Sequence, residues 1–166
     1  QFEYAFDDIG NRASTKAGGN AAAAGLRSAN YTANSLNQYT QREVPGAADV
    51  IGITHPSATL SVNGDSSVSR RGEYWWKELS INNTSAPVWQ VVSNFASLGG
   101  ANQTNVGNLF LPRTAETFGY DADGNMTNDG RFNYTWDGEN RMTAAESLSG
   151  APTASKRKVT LEYDGG

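Results

Sequence analysis

The sequence Tyr-Asp-Ala-Asp-Gly-Asn-Met at residues 120–126 has a counterpart, Phe-Asp-Asp-Ile-Gly-Asn-Arg, at residues 6–12. Both stretches consist of an aromatic residue, an aspartate, two variable residues, Gly-Asn and a long side chain. Residues 136–142, Trp-Asp-Gly-Glu-Asn-Arg-Met, are a variant with the asparagine one position earlier. Residues 163–166 begin a further copy, and residues 31–39 are a weaker relative. Such self-similarity indicates one structural unit that is used several times.

This unit has the composition of a β-hairpin. The aromatic residue ends one strand, the aspartate caps the turn by accepting hydrogen bonds from backbone amides ahead of it, and Gly-Asn supplies the positive φ that the turn needs. The strand that follows is visible at residues 132–136, where aromatic and polar residues alternate. Because one hairpin cannot bury its own face, we expect the units to stack on each other or on a larger sheet.

The middle of the chain, from about residue 44 to residue 112, lacks the Tyr-Asp unit. Short runs of strand-forming residues alternate there with Gly, Asn, Ser and Pro clusters, and Asn63-Gly64 is a hairpin signal, so the pattern suggests a β-sandwich. Residues 17–30 include four consecutive alanines bracketed by glycines and are interpreted as a loop with at most one helical turn. The predicted central strands are residues 49–53, 58–62, 74–81, 88–95 and 106–111.

The chain is therefore predicted to be all-β, with repeat hairpins flanking a small immunoglobulin-like β-sandwich. The predicted segments are 1–43 for the first hairpins and a loop, 44–116 for the sandwich, and 117–166 for the last hairpins. In the sandwich, Trp75 shares one strand face with Leu79 and Ile81, and this face is expected to enter the core. Trp89 and Val91 are expected there as well.

The repeated units resemble the YD repeats of RHS proteins, and residues 30–40 look like a phrase common before an inserted domain in such proteins. Residues 58–64 and 71–75 resemble an immunoglobulin-like domain often inserted between YD repeats, similar to the accessory domain of glucodextranases. The resemblance implies a secreted or cell-surface bacterial protein. In that family the repeats spiral into a hollow β-sheet shell, which commonly encloses a C-terminal toxin. The repeats in this chain are too few to close such a shell.

Charge and composition limit the kinds of partner and site that we expect. The 166 residues have a formal net charge of −4 and lack cysteine, so we expect no nucleic-acid partner, no disulfide framework and no thiolate metal site. The basic run Lys156-Arg157-Lys158 is interpreted as a solvated strand entrance. No stretch approaches the ~18 consecutive apolar residues of a membrane helix, so no membrane span is expected.

No residue pattern indicates a catalytic centre, and we expect the chain to be no enzyme. His55, the one histidine of the sequence, lies in a turn-like phrase, whereas a Ser-His-Asp triad needs its histidine in a pocket. The carboxylate pairs Asp7-Asp8 and Asp121/Asp123 could serve glycoside hydrolysis. The pair recurs, however, at the same place in a repeated turn, and this repetition argues for turn capping.

A calcium site is an open alternative, and no other cofactor is expected. Oxygen-bearing side chains occur at every second position from Asp121, which is the spacing of the first ligands of an EF-hand loop. Met126 stands where glycine makes the sharp turn of that loop, and Phe132 stands where a glutamate closes the site. The candidate calcium ligands are Asp121, Asp123, Asn125, Thr127 and Asp129.

Tyr74 and Trp76 are candidates for contact with a carbohydrate or a partner. Successive strand residues face opposite ways, so Trp75 enters the core while Tyr74 and Trp76 share the outer face. Exposed aromatic residues can stack on sugar rings, dock another surface or pack on the adjacent hairpins. Loss of glycan binding in Trp76→Ala would support the first of these uses.

We therefore expect a structural or interaction module of an extracellular RHS/YD-repeat protein that contributes β-strands to a larger shell, filament or surface assembly. The expected partners are other copies of the chain or the rest of a parent RHS protein, met through β-strand edges. The alternatives are a carbohydrate-binding or adhesive module that contacts surface glycans, and a calcium-stabilised adhesin domain.

Overall fold

The computed structural model describes residues 1–20, 22 and 24–164, and it confirms the all-β prediction. The helical structure among these residues is a 3-10 turn at Thr153–Ser155. None of the described residues belongs to a helix long and apolar enough to cross a membrane. The strands in chain order are β1 (Phe2–Phe6), β2 (Arg12–Gly18), β3 (Leu26–Ala33), β4 (Tyr39–Arg42), β5 (Ala47–Ile53), β6 (Thr59–Val62), β7 (Ser69–Arg71), β8 (Tyr74–Ser80), β9 (Val88–Leu98), β10 (Ala101–Leu111), β11 (Glu116–Thr117), β12 (Gly119–Tyr120), β13 (Met126–Asn128), β14 (Phe132–Trp136), β15 (Met142–Ser147) and β16 (Lys158–Thr160).

The strands belong to two compact units. The first, which we call the repeat unit, contains both ends of the chain, and the second, the sandwich unit, contains most of the middle. The repeat unit comprises Gln1–Pro45, Asn83–Pro87 and Pro112–Gly166, and the sandwich unit comprises Gly46–Asn82 and Val88–Leu111.

The repeat unit consists of two five-stranded antiparallel sheets, with the strand orders β1-β2-β3-β4-β11 and β12-β13-β14-β15-β16. The side chains most buried in its described part are small or polar: Ala29, Asn83, Glu116, Ala151 and Ser155. A large apolar core is therefore not what orders these hairpins. Hydrogen bonds at the turns and between neighbouring hairpins have to supply much of the specificity.

Asn83 is an example of such a buried polar group, with 1% of its surface exposed. Its Nδ2 donates to Val44 O at 3.1 Å and to Pro112 O at 2.7 Å, while its own carbonyl accepts from Thr114 N at 3.0 Å. These bonds join three separate segments of the repeat unit. They also satisfy the two N–H donors of the side chain, which would otherwise be costly to bury.

The sandwich unit has two three-stranded antiparallel sheets, β5-β8-β7 and β10-β9-β6. This is the order of the B-E-D and G-F-C sheets of an immunoglobulin domain from which strand A is missing. Val62, Trp75 and Val92 form the core between the sheets. Gly52 lies opposite Trp75, and a Cβ there would come within 2.4 Å of the indole ring, so the position needs glycine.

The five predicted strands of the sandwich are confirmed, as is the burial of Trp75 and Ile81. The sixth strand, β7, was not predicted because three polar residues give no alternating pattern. The prediction for Val91 is wrong. Its side chain is 57% exposed, because β9 turns the next residue, Val92, inward against Val62 and Trp75.

The Asn63-Gly64 turn forms, but it does not join two paired strands. Both residues have positive φ angles, 51° and 81°, as a type I′ turn requires. The pairing across the turn is an isolated bridge between Val62 and Asp65. The strands on either side then separate, because β6 pairs with β9 and β7 pairs with β8.

The interpretation of residues 17–30 as a loop is wrong for residues 17, 18 and 26–30. β2 continues to Gly18 and β3 begins at Leu26, and the two strands pair. Asn20 closes the connection: its Oδ1 accepts from Ala22 N at 2.9 Å and from Ala24 N at 3.1 Å. Ala21 and Ala23 lie outside the described residues, as do Gly165 and Gly166 of the last repeat copy.

Candidate functional site

Four turns in the described repeat unit share one hydrogen-bond pattern. In the first, Asp7 Oδ1 accepts from Ile9 N at 3.1 Å and from Asn11 N at 2.7 Å, and Asp7 N donates to Asn11 O at 2.8 Å. Asn34, Asp121 and Asp137 accept the same pair of bonds from the amides two and four residues ahead. The four turns are residues 7–11, 34–38, 121–125 and 137–141, and we call them the turn column.

The fourth residue of each of these turns has a positive φ. The angles are 91° at Gly10, 60° at Asn37, 88° at Gly124 and 58° at Asn140. A β-turn followed by one left-handed residue is the usual three-residue hairpin connection, with a bulge beyond it. The structure thereby explains the variant copy of the repeat, because Asn140 takes the left-handed position that glycine occupies in the other two strong copies.

Side chains join neighbouring turns of the turn column. Asn11 Nδ2 donates to Asn37 Oδ1 at 3.3 Å, and Asn125 Nδ2 donates to Asn140 Oδ1 at 2.8 Å. Each link runs from the fifth residue of one turn to the fourth residue of the next. Our sequence analysis missed these links, although the recurrence of asparagine at the two positions is the signal for them.

The second and third turns lack this link because Gly124 has no side chain. A Cβ on Gly124 would lie 3.6 Å from Gln38 Nε2, which is ordinary contact. Gly124→Asn should therefore complete the series, since asparagine tolerates the left-handed conformation and Gln38 can donate to its Oδ1. We expect the free energy of unfolding to rise by about 0.5–1 kcal/mol, measured by urea denaturation.

Gly10→Asn is the matched control for this prediction. Gly10 holds the same place in its turn, with a φ of 91°, but no heavy atom lies within 4 Å of a Cβ built there. It should gain no stability. Equal effects of the two asparagine substitutions would contradict the proposed link to Gln38.

The aromatic residues that precede the turns also bind the neighbouring hairpin. Trp136 Nε1 donates to Met126 O at 2.9 Å, and Tyr163 Oη donates to Met142 O at 2.9 Å. Tyr120 Oη donates to Tyr39 O at 3.0 Å. In each case the acceptor is the residue that directly follows the preceding turn. The aromatic position of the repeat therefore fixes the register between hairpins in addition to packing.

The second turn is not preceded by an aromatic residue, but another hydroxyl makes an equivalent bond. Ala33 precedes this turn and has no donor to offer. Tyr39, which follows the same turn, accepts a bond at its hydroxyl from Arg12 N at 2.7 Å. Arg12 is the residue after the first turn, so an aromatic hydroxyl again binds the backbone at the equivalent place.

Hydrogen bonds hold the turn carboxylates in their ionised form. The Asn11 side chain is the largest cause that lowers the pKa of Asp7, and the Arg141 amide is the largest cause that lowers the pKa of Asp137. Desolvation raises the pKa of Asp121, but the bonds from Asn125 and nearby amides outweigh it, so the net pKa is lowered.

The predicted calcium ligands lie in and after the third turn, where donors already occupy the key oxygens. The Asp121 carboxylate accepts from Asp123 N, Asn125 N and Asn125 Nδ2. Asp129 Oδ1 accepts from two amides, and its Oδ2 accepts from Tyr134 Oη at 2.8 Å. Thr127 lies on β13.

The hydrogen bonds around Asp129 also affect Tyr134. Burial and then this bond raise the pKa of Tyr134 to about 12. Among residues 1–20, 22 and 24–164, no three His, Cys, Asp or Glu side chains are grouped as a metal site. Calcium binding by Asp121, Asp123, Asn125, Thr127 and Asp129 stays a prediction.

Tyr74 and Trp76 lie on the outer face of β8, 57% and 45% exposed. Ile53 and Ile51 lie opposite them on β5 and are also exposed. The two candidate contact residues are thus part of an apolar patch that sequence analysis recognised only on one strand. Contact with a carbohydrate or a partner through Tyr74 and Trp76 stays a prediction.

Comparison with known proteins finds similarity in part of the chain. A stretch of 60 residues, 36% of the chain, is 45% identical to the tRNA nuclease WapA of Bacillus subtilis strain 168. The same identity and coverage hold for the tRNA3(Ser)-specific nuclease WapA of Bacillus spizizenii and the tRNA(Glu)-specific nuclease WapA of Bacillus subtilis subsp. natto. The similar stretch amounts to 2% of the length of each relative. No family model and no solved structure matches the chain.

These relatives overturn the prediction that the protein is no enzyme, because all three are named as nucleases. That prediction used catalytic patterns within this chain alone. The similar stretch is 2% of each relative, and the named activity belongs to the whole protein.

Proposed function

We propose that the chain is a segment of a large RHS/YD-repeat protein with nuclease activity toward tRNA, and that it contributes hairpins to the β-sheet architecture of that protein. The observation that supports this function is the turn column. The same turn occurs four times in the described residues, and the same types of side-chain bond join one turn to the next.

This arrangement is suited to a sheet that grows by addition of hairpins. After the turns 34–38, 121–125 and 137–141, the hairpin offers a backbone carbonyl just beyond its turn, and the next aromatic residue along the repeat supplies the donor. The contacts are local and repeat along the chain, so further copies can be added without a new core for each one.

The outer strands of the repeat unit fit the same proposal. β1 lies at the edge of its sheet and exposes Phe2, Tyr4 and Phe6 by 71%, 55% and 58%. β16 lies at an edge as well, with Val159 55% exposed. Open edges with apolar side chains favour pairing with another strand. We propose neighbouring repeats of the parent protein, or other copies of the chain, as the partners.

The nuclease part of the proposal comes from the relatives, and the shell comes from the family resemblance. The relatives are named for cleavage of tRNA, and RHS shells commonly enclose a toxin. In a secreted or cell-surface protein of this kind, the repeats would protect the nuclease from proteolysis. Stability of the hairpins would then determine how long the nuclease survives.

The test uses the full-length protein that contains this chain. Wild type and the double variant Asp121→Ala/Asp137→Ala are treated with a protease, the digestion is stopped, and cleavage of added tRNA is measured on a denaturing gel. We expect the double variant to lose tRNA cleavage sooner. Each of its two altered turns lacks the carboxylate oxygen that accepts hydrogen bonds from two backbone amides in the wild type.

Asp121→Asn/Asp137→Asn is the matched control, because asparagine already fills this role at Asn34. It should retain tRNA cleavage for as long as the wild type. Absence of tRNA cleavage by the undigested and the digested wild-type protein would contradict the proposal. Equal rates of loss in the alanine variant and the wild type would contradict it too.

A further inference from the structure

β1 has one edge that no strand in the described part of the chain covers, because it pairs with β2 alone. The residues on either side of β1 show which of its backbone groups are used in that pairing. Gln1 N donates to Gly18 O at 3.2 Å, and Asp7 N donates to Asn11 O at 2.8 Å. Backbone groups alternate in direction along an antiparallel strand, so the odd-numbered residues of β1 turn theirs toward β2.

The even-numbered residues of β1 combine outward backbone groups with exposed aromatic rings. The N–H and C=O groups of Phe2, Tyr4 and Phe6 point away from the sheet. The irregularity in the pairing is an extra residue on β2, Ala13, so the side chains of β1 alternate without interruption. The three rings therefore form one exposed row on one face of the strand, beside the open edge.

This row is complementary to a second copy of itself. When two β1 strands lie antiparallel about a two-fold axis at Tyr4, each Tyr4 lies opposite the other, and Phe2 lies opposite Phe6 of the second copy. Because all three residues turn their backbone groups outward, each of these is a hydrogen-bonded pair. Aromatic pairs directly across two strands stabilise the pairing, so backbone and side chains favour the same register.

A preceding hairpin of the repeat type fits this edge less well. Tyr120, Trp136 and Tyr163 precede turns, and each donates a hydroxyl or indole hydrogen bond to the hairpin before it. Phe6 precedes the first turn and has no such donor. β1 therefore lacks the group that fixes the register with a preceding hairpin, whereas the two-fold pairing does not need it.

Charge favours the antiparallel orientation of the two copies. Asp7 and Asp8 directly follow β1. In a parallel pair they would lie beside Asp7 and Asp8 of the second copy, and like charges at facing positions destabilise strand pairing. The antiparallel pair places the two acidic turns at opposite ends of the joined strands.

We propose that the β1 edge binds a second copy of this chain through an antiparallel pair of β1 strands centred on Tyr4, which joins two repeat sheets into one. The inference rests on the open edge in the proposed function, and it names the partner of that edge. The contact involves five residues from each copy. It is at the small end of specific interfaces, which bury about 1,200–2,000 Å², so the dimer is weak and depends on concentration.

Cysteine cross-linking tests the two-fold axis, because the chain has no cysteine of its own. The two Cα atoms at position 4 should lie about 5.5 Å apart, within the range of a disulfide. Each variant is treated with oxidised glutathione and followed on a non-reducing gel. Tyr4→Cys should form a linked dimer about ten-fold faster than Val159→Cys or more. Val159 is the matched control, because it is 55% exposed, as Tyr4 is, and lies on the other edge strand, β16.

Phe2→Cys tests the register of the pair. The two copies of Phe2 should lie about 13 Å apart along the strands, too far for a disulfide. Phe2→Cys alone should therefore cross-link no faster than Val159→Cys. An equal mixture of Phe2→Cys and Phe6→Cys should cross-link at a rate near that of Tyr4→Cys, because these two positions face each other.

Analytical ultracentrifugation of the wild-type chain without tRNA should show a dimer fraction that grows with concentration up to about 1 mM. A chain that stays monomeric there would overturn the proposal and leave the edge to a neighbouring repeat of the parent protein. Equal cross-linking of Tyr4→Cys and Val159→Cys would overturn it too, and equal cross-linking of Tyr4→Cys and Phe2→Cys would show a parallel pair instead. None of these measurements uses tRNA cleavage, so the dimer and the proposed function can fail separately.

Discussion

Replacement of Arg42 by alanine should lower the free energy of unfolding by about 3 kcal/mol at pH 7, because it leaves a buried carboxylate without its counter-charge. Glu116 is 4% exposed. Arg42 Nε donates to Glu116 Oε2 at 2.8 Å, and Arg42 Nη2 donates to the same oxygen. Gly130 packs so closely on Glu116 that a Cβ there would lie 2.6 Å from the Glu116 Cβ, so the carboxylate has little room to move toward water.

The defect of Arg42→Ala should shrink in acid. Burial raises the pKa of Glu116, and the charge and hydrogen bonds of Arg42 oppose this rise. Without Arg42 the pKa rises further. A carboxyl group with a raised pKa in the folded state favours folding most below its unfolded pKa of about 4.3, and this contribution is lost as the pH rises through the folded pKa. The variant should therefore recover toward the wild type as the pH falls from 7 into this range.

Urea denaturation of both proteins at a series of pH values measures this difference. Arg42→Lys is the control, because it keeps a positive charge near Glu116 with a less suitable donor geometry. It should lose much less stability than Arg42→Ala. If the difference in free energy of unfolding between Arg42→Ala and the wild type stays constant as the pH falls, lost packing causes the destabilisation, and the unpaired Glu116 carboxylate does not.

The parts of the fold that sequence analysis predicted are those set by neighbouring residues. A turn aspartate, a left-handed glycine and an alternating strand lie within a few residues of each other, so residues 120–126 already indicate a hairpin. The Arg42–Glu116 pair is different, since its members are 74 residues apart and meet because β4 pairs with β11. No local pattern in the sequence specifies that pairing.

The candidate site shows the same difference between features set by neighbouring residues and features that depend on long-range pairing. Asp121 was predicted both as a turn cap and as a calcium ligand, because an oxygen at that spacing serves either role. The structure shows its carboxylate accepting hydrogen bonds from Asp123 and Asn125. The links between turns require knowledge of which hairpins are neighbours. The recurrence of asparagine at the fifth position of a turn is visible in the sequence. The sequence does not show which residue of another turn accepts its hydrogen bond.

The turn carboxylates should together account for a large share of the resistance of the repeat unit to heat near pH 7, and for much of its loss of stability in acid. Replacing Asp7, Asp121 and Asp137 by alanine should lower the Tm by about ten degrees. Each substitution removes the oxygen that accepts hydrogen bonds from two backbone amides of its turn. Replacing all three by asparagine should cost far less near pH 7, since asparagine keeps this oxygen and does so naturally at Asn34.

The asparagine variant should differ from the wild type in its response to acid. The pKa of all three aspartates is lowered in the folded state. Their contribution is therefore present above the unfolded pKa of about 3.9 and is lost as the pH falls through the folded values. Below about pH 4 the wild type should lose stability more steeply than the variant, as followed by thermal unfolding at a series of pH values.

Asp8→Asn/Asp123→Asn is the matched control for this acid response. These residues occupy the same turns, but in the described structure their carboxylates take no part in the hydrogen bonds that close them. The control changes the net charge in the same direction and should retain the acid slope of the wild type. If the control flattened the slope as much as the asparagine substitutions at Asp7, Asp121 and Asp137, general charge repulsion would explain acid unfolding, and the turn hydrogen bonds would not.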